Sequence, residues 1–555
     1  MNRMPHPNHI NVAGLALVTM MSATASAQQA PAPPQQTGSA DTTLQLTLED
    51  AVRRAVANNP DLAIVRLDAQ IGTSRVQETQ TAYAPVLSSV VGRSSIVTPP
   101  STSLLGASGV DTNDLFSSTG VHQRLPWGGG TWSLSWEASR TTSNSPLNSF
   151  DPNLQSGFQI AFSQPLLRDR RVDAVRQEYV IAKRNEESSE LRFRESVVQT
   201  VAAVKEAYWT LKASMANVTV QQQSLQLAQE LVDQNKARVD VGQSPPLDLV
   251  QAEAEVAQRR ENLIRANAAA GDAEDRLRRL IMDPADTSFW QVRIDPTDEP
   301  TGRAPLPDVD AVVAKALAER YDVARARNDQ TNASTNVEFF RNQKLPDVRL
   351  ETSYRGSGLG GTQLIRTGAF PGTVTGRLNT GYGDVLEQVF GSEFPSWSLG
   401  VTVSYPLGRS ADEVNLVRAE IERRQAGQRV ASLQLQAAEA IRRAARQIRS
   451  TAEREDAARA GATLAEQRLH AEQRRYGVGL STTFLVTQAQ RDLLQAQVNL
   501  LQATLDYQSA LVTFEALQLA PPLSDGEAIS LRGTEIVRVL TSVPRGVFRE
   551  GAGAF

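Results

Sequence analysis

The chain has 555 residues and 60.3 kDa, 41% of them hydrophobic, with 57 basic against 61 acidic residues and no cysteine. That length predicts three or four ordinary domains. The missing cysteine excludes disulfide frameworks, thiolate zinc sites, cysteine nucleophiles and a lipid on an N-terminal cysteine, and the absent basic surplus argues against nucleic-acid binding.

Residues 1–27 read as a secretory signal peptide, with Arg3, His6 and His9 before an apolar stretch from Ile10 to Met21 and then Ala25-Ser26-Ala27 as the cleavage site. A dozen apolar residues fall short of the roughly 20 that a membrane-crossing helix needs. Removing this segment leaves His122 and His470, far apart in sequence, which argues against a histidine metal site. Residues 28–43, Pro- and Gln-rich, read as a disordered leader.

Beyond the leader the chain is written twice. A shift of 261 residues carries Asp61-Leu62-Ala63 onto Asp322-Val323-Ala324, Asp68 onto Asp329 and Pro85 onto Pro346. A shift of 241 lays Phe158, Ile160 and Phe162 on Leu399, Val401 and Val403, and a shift of 237 lays Val241-Gly242 on Val478-Gly479. The blocks keep their order. Residues 44–282 and 307–519 are therefore two copies of one plan: helix, strands, a very long helix, a short tip and a returning helix. Residues 283–306, rich in Pro and Asp, form a linker, and 520–555 a C-terminal tail.

Strands come first within each copy. Trp132, Leu134 and Trp136 alternate with Ser133, Ser135 and Glu137, while Phe158, Ile160 and Phe162 alternate with Gln159, Ala161 and Ser163. In the second copy Trp397, Leu399, Val401, Val403 and Tyr405 share one phase. One apolar and one polar face at about ten residues per strand is the pattern of a membrane β-strand between lipid and water, and a half-buried soluble sheet is the alternative. Four such strands cannot close a barrel, so oligomerisation is expected, because open edges in lipid leave backbone groups unsatisfied. The first copy is longer by a segment containing Pro126-Trp127-Gly128-Gly129-Gly130, a hairpin signal that either adds strands or folds beside the barrel. The second copy has instead a Gly-rich stretch from Gly356 to Pro395, read as a loop.

The helices carry a heptad seam. Val486, Leu493, Leu500, Tyr507 and Phe514 recur every seven residues, with Ala489, Ala496, Ala503, Ala510 and Leu517 three behind each. The first copy repeats the seam from Leu249 to Leu280, broken at Arg259. Before the tips, Val197, Val201, Val204, Tyr208, Leu211, Met215 and Val218 alternate steps of four and three in a helix of about 70 residues, roughly 100 Å long at 1.5 Å per residue. The seam alone fits an antiparallel coiled-coil rod or a helical barrel equally, and a secreted coiled-coil structural or interaction protein is the competing function.

Three sets of residues resemble the TolC-like outer-membrane efflux family: Leu46-Thr47-Leu48-Glu49-Asp50-Ala51-Val52 leading to Asn58-Asn59-Pro60-Asp61-Leu62; the strand exits Gln164-Pro165-Leu166-Leu167-Arg168 and Tyr405-Pro406-Leu407-Gly408; and Tyr476-Gly477-Val478-Gly479. The resemblance covers about residues 44–519. It implies a mainly α chain with a membrane β-barrel: a homotrimer in the outer membrane, four strands per chain, continued by a long periplasmic α-helical coiled-coil barrel. It also implies an equatorial region that includes 283–306 and the tail, and a passive duct for efflux or type I secretion, docked onto a periplasmic adaptor and an inner-membrane pump. By the same resemblance Val241, Gly242, Gln243, Ser244, Val478, Gly479, Leu480 and Ser481 are the adaptor-docking tips. Asp248 matches an acidic entrance position. Leu485 and Gln488 stand where family members carry aspartates and Ser481 where they carry an arginine, so an apolar constriction around Leu485 is expected in place of an acidic ring.

No enzyme or cofactor is expected. Gly356-Ser357-Gly358-Leu359-Gly360-Gly361 satisfies G-x-G-x-x-G, yet no helical period follows to receive a pyrophosphate. Walker and H-E-x-x-H motifs are absent, and neither remaining histidine has Ser and Asp neighbours that suggest a triad.

Overall fold

The computed structural model describes residues 43–99, 109–283, 285–300, 302, 308–369 and 372–521. The signal peptide, the leader up to residue 42 and the tail from 522 lie outside the described residues. Strand β1 (Thr43–Leu46) leads to helices α1 (Leu48–Asn58) and α2 (Pro60–Thr81), then to strands β2 (Val86–Thr98), β3 (Val110–Arg124), β4 (Thr131–Ser143) and β5 (Phe150–Pro165). Helices α3 (Ala174–Asp240) and α4 (Pro246–Ile281) close the first copy, and a 3-10 turn (Thr287–Gln291) and β6 (Arg293–Pro296) join it to the second. There follow α5 (Val309–Glu319), α6 (Tyr321–Gln343), β7 (Asp347–Thr367), β8 (Thr373–Thr380), α7 (Tyr382–Phe390), β9 (Phe394–Ser404), α8 (Ala411–Gly477) and α9 (Thr483–Ala516).

The duplication is visible in the helix starts. Thr47 accepts from the N–H of Asp50 to cap α1, and Asp308 accepts from Asp310 and Ala311 to cap α5, 261 residues on. Asp173 caps α3 through the Arg176 N–H, and Ser410 caps α8 through the Glu413 N–H. These short oxygen-bearing side chains satisfy first-turn N–H groups that a helix cannot pair itself. Both α3 and α8 run for 67 residues, about 100 Å, and the returning helices pack along only their tipward halves. Along the other halves α2 packs on α3 and α6 on α8.

The seam packs as its spacing predicts. Val197, Val201, Val204, Tyr208 and Leu211 are buried against α1, β1 and β6, and Tyr507, Ala510, Phe514 and Leu517 are buried against α5 and α8. The parallel β1–β6 pair, which the sequence did not announce, is pinned to α3 by the Tyr208 hydroxyl, which donates toward the Leu46 carbonyl (3.0 Å) and the Asp298 carboxylate (2.9 Å). Burial pushes the Tyr208 phenol well above its ordinary pKa, so it stays a donor. Within the linker, the described residues form β6 and the 3-10 turn.

The sheet corrects two expectations. Among the described residues it has seven strands in the order β2-β3-β4-β5-β7-β8, with β9 also paired to β7. The Pro126–Gly130 segment is the turn between β3 and β4, and both strands pair along their whole length inside the sheet, so the chain exceeds the four strands that the resemblance implies. The stretch from Gly356 is no loop. Its glycines continue β7 to Thr367, because small residues are needed where α7 lies across the strand. Gly356–Gly361 is thereby strand, and β7 continues directly past it to Thr367 rather than turning into a helix.

Candidate functional site at the paired helical tips

Register puts the alternating residues in phase across the sheet. Leu87, Val121, Leu134, Ile160, Tyr354 and Trp397 lie opposite one another in one apolar row over six strands. On the other face, Ser88, Gly120, Ser135, Gln159, Arg355 and Ser396 form a row of small and polar residues. Arg355 pairs there with Glu137 (3.0 Å) across Gly157, whose missing side chain leaves room for the bridge. Four of the six apolar residues are exposed, Trp397 by 76% and Leu87 by 69%, while Val121 and Tyr354 are half-buried. A soluble sheet would bury that face.

At the far end of the helices the two tips are geometric copies. In the first, the N–H of Gly242 bonds the carbonyl of Val239 (2.9 Å) and that of Gln243 the carbonyl of Arg238 (2.8 Å). In the second, Gly479 bonds Tyr476 (3.1 Å) and Leu480 bonds Arg475 (2.8 Å). This is the Schellman pair of bonds that ends a helix, and it sets the glycines at φ 72° and 79°, a region that costs other residues. The copies then diverge: α4 starts on Pro246 without a side-chain cap, whereas Thr482 caps α9.

The predicted tip residues are therefore brought together as two adjacent turns. Val241, Gly242, Gln243, Val478, Gly479 and Leu480 are exposed, and Ser244 and Ser481 are half-buried. Ser481 donates to Glu472 (2.7 Å), and that hydrogen bond, with the charge of Arg475, holds the Glu472 carboxyl below its usual range. Leu247, Val250 and Phe484 are also exposed, so the tips form an apolar surface that spacing alone did not reveal.

The entrance residues separate. Asp248 is half-buried in the first turn of α4, with its carbonyl facing the Asn235 amide (3.4 Å). Leu485 is 41% exposed in the first turn of α9. Gln488 donates to Asp492 (2.8 Å), which also takes a bond from Arg468 (2.7 Å).

Two clusters that tie the hairpins together were missed in the sequence. In the first, the Tyr476 hydroxyl meets buried Asn235 and Thr483, and the Arg238 guanidinium covers the Tyr476 ring at 4.1 Å while donating to the Tyr476 carbonyl (2.7 Å). In the second, Glu255 of α4 is buried between Arg259 on its own helix and Arg491 of α9, whose Nε donates to it at 3.1 Å. Burial alone would raise the Glu255 carboxyl, but hydrogen bonds from Arg491 and the charges of both arginines outweigh it, and its pKa is lowered. Arg259, which breaks the seam, was the available signal for this cluster.

A sheet with one lipid-compatible face, joined to helices of about 100 Å, defines a membrane-embedded β-structure extended by helical staves. Residues 131–281 and 312–518 match the family described as outer membrane efflux protein, so the chain belongs to that family. No curated protein matches the chain. Among solved structures it is similar to CusC (TM-score 0.62, 14% identity, 85% of this chain and 92% of that one), whose structures bear on folding and transmembrane channel formation. It is also similar to the Campylobacter jejuni CmeC outer membrane channel (0.62, 15%, 90% of each) and to the Vibrio cholerae outer membrane protein VceC (0.59, 16%, 85% and 96%). At these identities the likeness is one of fold. The family places the chain among outer-membrane efflux channels, a class of ducts and not of enzymes.

Proposed function

We propose that the protein is the outer-membrane exit duct of a tripartite export machine, working as a homotrimer whose tips dock onto a periplasmic adaptor bound to an inner-membrane pump. The apolar row across six strands carries this reading, because it asks for lipid on one side while the polar row asks for water on the other. The sheet leaves β2 at one edge and β9, with the short β8 beyond it, at the other, and an open edge in lipid is costly, so copies of the chain close the barrel through β2 and β9. Three copies with six long strands each make a barrel of about eighteen strands, with its lumen lined by the Glu137–Arg355 face.

In this reading the helices extend the lumen through the periplasm, and Val241–Ser244 with Val478–Ser481 form the docking rim. Exposed Leu247, Val250 and Phe484 supply apolar area for the adaptor. The entrance is held narrow by Leu485 and by the two clusters that fasten one hairpin to the other. Small-molecule efflux and type I protein secretion use the same duct, since substrate choice rests with the pump. The test is fractionation and conductance. Heat-modifiable trimers in the outer-membrane fraction that form channels in planar bilayers support the duct, and a soluble periplasmic rod without conductance refutes it.

A further inference from the structure

The G-x-G-x-x-G stretch, discarded as a nucleotide motif, does have a structural use. Strand β9 pairs with β7 up to Ser357 and β8 pairs with it only from Gly361, so on that side β7 lacks a strand partner over three residues, Gly358 to Gly360. Helix α7 connects β8 to β9 and lies over this interval, on the face that carries the apolar row. A Cβ on Gly358 would sit 2.3 Å from the Val385 carbonyl oxygen, and one on Gly360 would sit 2.5 Å from the Val385 side chain. Val385 and Val389 are fully buried there, and the Gln388 side chain accepts from the Leu359 N–H (2.9 Å), a backbone donor that neither β8 nor β9 takes. Phe390 stacks on Trp136 with ring centroids 5.7 Å apart, continuing the aromatic level of Trp136, Phe158, Tyr354 and Trp397.

We propose that α7 is an interfacial helix that seals this gap in the barrel wall and is itself covered by acyl chains of the outer leaflet. Two glycines, Gly358 and Gly360, and an unpaired Leu359 N–H facing hydrocarbon would expose bare backbone, which lipid does not tolerate. The helix supplies both the missing apolar cover and the missing acceptor. Phe390, 72% exposed, and Tyr382 extend the lipid-facing row, while Asp384 and Glu387 are exposed for headgroups and water. The helix lies beyond the end of β9 that points away from α8, which is the outer-leaflet side if α3 and α8 are periplasmic. This inference rests on the duct reading.

The natural absence of cysteine makes the test direct. Full-length Phe390→Cys, Glu387→Cys and Leu399→Cys proteins, spin-labelled and reconstituted in phosphatidylcholine vesicles, are probed by collision with oxygen and with a water-soluble nickel chelate. A label at 390 should favour oxygen over nickel several-fold more than one at 387, as one at 399 should. A nickel-accessible 390 beside a lipid-exposed 399 overturns the inference alone. Exclusion of both reagents at 390 also overturns it, since a neighbouring protomer then covers the helix. A nickel-accessible 399 overturns the barrel reading and the inference with it. Gly358→Val should raise label mobility at 390 by displacing α7 while 399 stays lipid-exposed; unchanged mobility would show that the glycine groove does not hold the helix.

Discussion

Replacing Glu255 by glutamine removes the charge that joins α4 to α9 near the tips. Glu255 and Arg259 are each about 5% exposed at the side chain, whereas Arg491 is 56% exposed. The cost is therefore unequal. Arg259 keeps its burial and loses its counter-ion, a change worth about 3 kcal/mol at the low end for broken buried pairs, while Arg491 can rehydrate and loses at most about 1 kcal/mol. A local loss of about 3 kcal/mol raises the open population of the segment about a hundredfold. Hydrogen exchange of α4 around residue 255 and α9 around residue 491, in the detergent-solubilised protein, reads this directly, and the looser hairpins should raise single-channel conductance. Glu255→Gln with Arg259→Met should recover most of the loss, and Glu255→Gln with Arg491→Gln should recover little. The pH dependence carries the same sign. With its folded pKa lowered, Glu255 contributes stability in full above the ordinary value of about 4.3 and loses it as pH falls through the lowered value, so acid should mimic the substitution, and Glu255→Gln should lack that step. Unchanged exchange in Glu255→Gln at neutral pH would refute the latch.

Gly242→Val or Gly479→Val meets no atom within 4 Å of the new Cβ, so its cost is the positive φ alone, about 1–2 kcal/mol; drug or substrate export in cells should fall while trimers still form, and normal export would count against the tips as the docking rim. Leu485→Ser should raise single-channel conductance, and an identical trace would remove Leu485 from the constriction. Tyr476→Phe leaves buried Asn235 and Thr483 without their hydroxyl partner, at about 1–2 kcal/mol, and should make the tips more sensitive to limited proteolysis.

Much of the fold was written locally. The shift of 261 that links Asp61 to Asp322 also carries α1 and α2 onto α5 and α6, and the shift of 237 carries all of α3 onto α8. Caps, heptads and tip glycines act within a few residues, so their spacing alone revealed them. The tip glycines were legible for that reason. The Asn235–Tyr476–Thr483 and Glu255–Arg491 clusters were not, because each joins residues more than two hundred positions apart.

The sequence by itself determined that the chain repeats one hairpin plan, with long heptad helices and alternating strands. Alternation tells each strand which residues share a face, but not which strand lies beside it. Tertiary structure alone decided that six strands align their apolar residues in one row, that the Pro126–Gly130 hairpin widens the sheet, and that β1 finds β6 across the linker. It also decided what Gly356, Gly358 and Gly360 are for. A glycine shows in sequence only that a side chain is missing, and the reason, a helix pressed against the strand, comes from a segment some twenty-five residues further along whose place the whole sheet sets.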